Sequence, residues 1–78
     1  MWQEGSFAIN GIKYHFCAKV YEEGSKYGIN GGRVSKLAIY EWEPEGKQEI
    51  LNYDRGWDIE PKTDTQKAAL AHVLDLYA

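Results

Sequence analysis

The sequence predicts an α+β domain of order ββββα, a four-stranded antiparallel sheet packed by one C-terminal helix, on the strength of two observations. Apolar residues alternate with polar ones from Phe7 into the middle fifties, which is the two-residue period of strands. Beyond Pro61 the period becomes 3.6. Gln66, Leu70, Val73, Leu74 and Tyr77 then form one stripe, flanked by Ala69 and Leu76, as on a helix with a single apolar side.

The first two strands are joined at Asn10-Gly11, a pair suited to the positive φ angles of a type I′ hairpin turn. Setting Ile9 against Ile12 places Phe7 opposite Tyr14 and Gly5 opposite Phe16. One face then collects Phe7, Ile9, Ile12, Tyr14, Phe16, Ala18 and Val20. Ser6, Ala8, Lys13, His15, Cys17, Lys19 and Tyr21 take the other, the mixture of a face that meets solvent.

Residues 22 to 32 hold four of the eight glycines and read as a loop. The third strand runs from Val34 to Trp42, with Leu37 and Ile39 on one side and Val34, Ala38, Tyr40 and Trp42 on the other. Pro44-Glu45-Gly46 is a turn, Glu49 to Tyr53 a fourth strand, and Asp54-Arg55-Gly56 its end. Thr63 and Gln66 have capping-box spacing, so each side chain serves a backbone amide left free at the helix start, and Asp64 suits the dipole there. The inner face of the sheet is the surface available to cover the helix stripe. Strands one and two, and three and four, are expected neighbours, with the central pairing left open.

Seventy-eight residues, 44% of them hydrophobic, suffice for one core, so residues 1–78 are expected to form a single domain. Cys17 is the only cysteine and has no partner for an internal disulfide, which favours a reducing compartment. The opening Met1-Trp2-Gln3-Glu4-Gly5 lacks the basic-then-apolar plan of a secretory signal. No stretch has the apolar length of a membrane span. A soluble, cytoplasmic protein is the expectation.

A net charge of −3 argues against direct contact with nucleic acid, which needs a basic surface. From Glu41 to Glu60 there are seven acidic residues against Lys47 and Arg55.

Reactive groups are sparse. His15 and Cys17 lie two apart on one strand, poor geometry for a thiolate–imidazole pair, and His72 falls on the helix. The Cys and His residues together number three, too few for a structural zinc. No catalytic residue, metal or cofactor is predicted.

Two surfaces remain as candidates for binding. In Gly24–Arg33, glycines allow backbone amides to converge on an anion and Arg33 is able to clamp it. Tyr27, Gly28, Asn30, Gly31, Gly32, Arg33 and the second arginine, Arg55, therefore form a candidate site for a small anionic ligand. The run matches neither a P-loop nor a dinucleotide fingerprint, so a structural turn is its alternative. Tyr40, Trp42, Tyr53 and Trp57, with Asp54 and Asp58, form a candidate protein interface, because exposed aromatics anchor such contacts. Closing the end of the core is the alternative for Tyr53 and Trp57. A symmetric homodimer is a further way to cover an apolar outer face.

Tyr27-Gly28-Ile29-Asn30-Gly31-Gly32-Arg33-Val34-Ser35-Lys36-Leu37 and Asn52-Tyr53-Asp54-Arg55-Gly56-Trp57-Asp58 resemble a family of small uncharacterised proteins of phages and prophages of Gram-positive bacteria. With the Asn10-Gly11 hairpin, the match covers most of the chain. The family has no assigned activity, so no residue roles carry over. What the resemblance implies is a phage accessory protein acting in the cytoplasm of a bacterial host. Combined with the surfaces above, it gives a non-catalytic protein that engages and inhibits a bacterial host protein, such as a component of a defence system. The alternatives are a sponge for a phosphorylated nucleotide signal, held at the Gly-rich loop, and an acidic nucleic-acid mimic. Arg33 and Arg55 converging on one pocket favours the ligand; their divergence favours the protein partner.

Overall fold

Asn10 and Gly11 take φ angles of 52° and 81°, so the hairpin turn is built where the side chains allow it. The structure, a computed structural model, describes residues 1–78. The turn joins β1 (Trp2–Ile9) to β2 (Ile12–Val20) with Ile9 opposite Ile12, Phe7 opposite Tyr14 and Gly5 opposite Phe16, the register read from the sequence. β1 is longer than the alternation indicated. Pairing continues through Glu4 opposite Cys17 to Trp2 opposite Lys19.

β3 (Val34–Glu43), β4 (Gly46–Asp54) and β5 (Trp57–Ile59) complete an antiparallel meander of order β1-β2-β3-β4-β5. The sheet thus has five strands, not four. Asp54-Arg55-Gly56 does not end the pairing; it reverses the chain. Arg55 adopts φ 59°, its amide donates to the Ser35 carbonyl at 3.2 Å, and the Asp54 amide donates to the Gly56 carbonyl at 2.9 Å. Trp57 then returns opposite Tyr53 and Ile59 opposite Asn52. β4 also begins at Gly46, opposite Glu43, because Pro44 and Glu45 alone make the turn.

Three register shifts interrupt the sheet: one lies between Asn52 and Tyr53 where β5 pairs, and the other two change which residues reach the interior. Between Lys19 and Val20 the register slips so that Val34 lies opposite Val20, and both are buried. This corrects the assignment of Val34 to the outer side: a bulge changes the phase of the strand on either side of it. A second slip between Ile39 and Tyr40 lets Ile50 and Leu51, neighbours in sequence, both reach the interior.

The helix α1 spans Asp64–Leu76. Its capping box is formed: the Gln66 amide donates to Thr63 Oγ1 at 3.1 Å, and the Thr63 amide donates to Gln66 Oε1 at 3.3 Å. Ala69 and Val73 are fully buried against the inner face of the sheet, with Leu70, Leu74 and Tyr77 packed around them, whereas Leu76 is exposed. Aromatic contacts hold the helix over β1 and β2. Phe7 stacks between Tyr14 and His72, at centroid distances of 5.2 and 4.3 Å, and Tyr77 meets the edge of Phe16 at 6.2 Å. His72 is therefore a packing residue as well as a surface one. No helix is long and apolar enough to cross a membrane.

Candidate functional site

With the helix on the inner side, the outer face of the sheet has no covering layer. Register places Trp2, Glu4, Ser6 and Ala8 of β1 beside Lys13, His15, Cys17 and Lys19 of β2. Lys36, Ala38, Tyr40 and Trp42 of β3 follow, then Lys47, Glu49, Asn52 and Asp54 of β4. Two tryptophans stand largely in solvent here, Trp2 at 60% and Trp42 at 47% exposure. Lys47 Nζ lies 5.3 Å from the ring centroids of both Tyr40 and Trp42, a cation–π arrangement that orders the two rings. A depression of about 320 Å³ runs among Trp2, Cys17, Lys36, Ala38, Tyr40 and Asn52. Burial, reinforced by the Glu49 carboxylate, raises the pKa of Tyr40, so its hydroxyl stays protonated at neutral pH.

Toward the β1 edge three chemically different side chains converge. Cys17 Sγ donates to Glu4 Oε2 at 3.7 Å, and His15 Nε2 lies 3.9 Å from Glu4 Oε1. Ser6 Oγ is 3.3 Å from His15 Nδ1. One donor atom from each of Glu4, His15 and Cys17 fits within 4.8 Å of the others. Burial first, and the adjoining Glu4 carboxylate second, push the Cys17 thiol pKa up, with Lys47 acting in the opposite sense. A thiol so placed is a poor nucleophile at neutral pH, since the thiolate is the reactive form.

The Gly-rich segment is tightly folded upon itself. A single 3-10 turn, Ile29–Gly31, carries buried Ile29 into the core, and the loop amides turn inward. Ser25 N donates to Gly32 O, Gly28 N to Ser25 O, Gly31 N to Gly28 O, and Gly32 N to Ile29 O, at 2.9–3.2 Å. Asn30 is exposed, with φ 55°. Tyr27 N donates to Ser25 Oγ at 3.2 Å.

Arg33 closes the base of this loop: its Nε donates to the Tyr21 carbonyl at 2.9 Å and its Nη1 to the Ala78 carbonyl at 3.4 Å. Arg55 instead lies over the Tyr27 ring at 5.4 Å. It lines a depression of about 210 Å³ with Tyr21, Ser25, Tyr27, Ser35 and Lys36, and Arg33 is not among them. Arg33 is thus engaged by backbone carbonyls, while Arg55 faces an aromatic ring.

The aromatic set also divides. Tyr40 and Trp42 are on the outer face, but Tyr53 and Trp57 pack edge to face at 5.0 Å against the core, where the Tyr53 hydroxyl donates to the Tyr27 carbonyl at 2.9 Å. Asp54 pairs with Lys36 at 3.7 Å, and Asp58 is exposed on β5. The acids between residues 41 and 60 do not make one surface. Glu41 lies opposite Tyr14 on the inner side, Glu49 accepts from Asn52 Nδ2 at 3.1 Å, and Glu43 and Glu45 sit at the hairpin end.

Glu4, Ser6 and Trp2 escaped the reading of the sequence as site residues. A signal for them existed in the hairpin register, which, carried beyond Gly5, sets Glu4 against Cys17. Among known proteins, a family model described as a domain of unknown function, DUF7678, matches residues 1–78. No curated protein and no solved structure matches the chain.

Proposed function

The chain belongs to the DUF7678 family of domains of unknown function, and we propose that it is a non-catalytic binding protein whose outer sheet face docks on a protein partner. The observation that carries this reading is the uncovered face itself, with Trp2, Tyr40 and Trp42 presented on a rigid strand framework. Aromatic side chains on a rigid backbone lose little conformational entropy when they are buried at an interface. Their mixture with Lys13, Lys36, Lys47, Glu4 and Glu49 is that of a surface which also lives in water. Inward-turned loop amides, and an Arg33 engaged by the Tyr21 and Ala78 carbonyls, favour a protein partner over a small anion at the Gly-rich loop. The split of the acids between faces removes the continuous negative strip that a nucleic-acid mimic presents.

The resemblance of the segments 27–37 and 52–58 to small phage and prophage proteins makes a bacterial host protein the partner class to try first, with inhibition by occlusion as the mode of action. Affinity capture from host lysate tests this. The wild-type chain is expected to retain one stoichiometric protein, and Trp42→Ala to lose it while remaining folded. Absence of a stoichiometric partner, or equal capture by both proteins, contradicts the proposal.

A further inference from the structure

We propose that Glu4, His15 and Cys17 form a three-ligand site for a divalent transition-metal ion of the zinc class on the outer face of the sheet. This inference is independent of the docking reading and stands without it. Carboxylate, imidazole and thiolate together suit zinc and its neighbours cobalt and nickel, whereas magnesium and calcium call for oxygen ligands throughout.

A tetrahedral ion with ligands at about 2.0–2.3 Å holds its donor atoms roughly 3.3–3.7 Å apart. The pairs Cys17 Sγ–Glu4 Oε2 and His15 Nε2–Glu4 Oε1 stand at 3.7 and 3.9 Å, and all three donors fit within 4.8 Å. Closing the remaining gap calls for rotation of the Glu4, His15 and Cys17 side chains. The Glu4 side chain is 69% exposed and free to change rotamer, while the backbone positions are fixed by β1–β2 pairing.

The second observation is the partner of His15. Ser6 Oγ lies 3.3 Å from Nδ1; in the tautomer that carries its proton on Nδ1, that N–H donates to the hydroxyl and Nε2 offers a lone pair on the side of Glu4. Metal-binding histidines are commonly oriented by such an outer hydrogen bond, which sets the tautomer. Metal binding displaces the Cys17 thiol proton to solvent and forms the metal–sulfur bond. Three protein ligands on an open face leave a fourth position for water or for an exchangeable group.

The test is titration of the whole chain with Co²⁺, under a non-thiol reductant, followed by absorption and then by competition with Zn²⁺. One equivalent is expected to give a thiolate-to-cobalt charge-transfer band and the intense visible bands of a four-coordinate ion, and Zn²⁺ to bleach both. Cys17→Ser is expected to abolish the charge-transfer band. Glu4→Gln, at an exposed position that the fold does not need, is expected to weaken Co²⁺ binding by roughly 10-fold or more. Lack of any charge-transfer band overturns the assignment, as does a band that survives Cys17→Ser or an affinity indifferent to Glu4→Gln.

Discussion

Ile39→Ala is expected to lower the free energy of unfolding by about 3–4 kcal/mol. Ile39 is fully buried in β3, the middle strand. It pairs with Phe16 on one side and Leu51 on the other, and the helix lies across its strand. Deleting its outer carbons removes transfer energy and leaves a cavity that two paired neighbours and a capped helix are poorly able to collapse. A domain of this length has a total stability of about 4–12 kcal/mol, so the loss takes a large share of it. Equilibrium urea unfolding checks the value: the midpoint should fall sharply at an unchanged slope. A midpoint within experimental error of wild type means that Ile39 does not lie at the centre of the core.

Gly28→Ala is expected to cost about 3 kcal/mol by overpacking. Gly28 has φ −73° and ψ 154°, a conformation open to any residue, so backbone preference is not the cause. Steric approach is. A methyl group at this position would overlap the Gly32 carbonyl, whose oxygen accepts from Ser25 N, and would force apart the loop that seats Ile29. Gly56→Ala is the natural reference, because an added methyl there meets nothing within 4 Å. Thermal unfolding of the pair should show a large drop in Tm for Gly28→Ala and little change for Gly56→Ala. Similar behaviour of the two would mean that the loop yields more easily than its packing indicates.

Much of the fold was legible because local chemistry and long-range packing agree. Asn10-Gly11 sets a turn, the turn sets a register, and the register decides which side chains face the helix. Thr63 and Gln66 likewise fix the start of α1 before any packing is considered. The fifth strand was not legible, since Trp57-Asp58-Ile59 is too short to show a period and follows a triplet that reads as a breaker. Arg55 at positive φ makes that triplet a hairpin, and an arginine gives no such cue in a sequence. Val34 and Ile50 were obscured in a different way: bulges shift the alternation that periodicity depends on.

The candidate site was partly legible. Tyr40 and Trp42 follow from parity alone, because they alternate with buried Leu37 and Ile39 on β3. For Tyr53 and Trp57 the sequence leaves both an interface role and a place at the end of the core open; Tyr53 turns inward opposite Leu37, and Trp57 follows through the β4–β5 turn. His15 and Cys17 lie two apart on one strand, and within that strand alone they offer no catalytic pair. Glu4 comes beside them from across the β1–β2 pair. Clusters formed by cross-strand neighbours become visible only when a register is followed to its end.

The division of labour between the two sheet faces, one holding the fold and the other left free to bind, is tested by urea unfolding of the Trp2→Ala, Trp42→Ala double variant. If the outer face is free, the two truncations together should cost no more than about 1 kcal/mol. A loss as large as that of Ile39→Ala would mean that these tryptophans serve the fold, and the docking surface would have to be sought elsewhere.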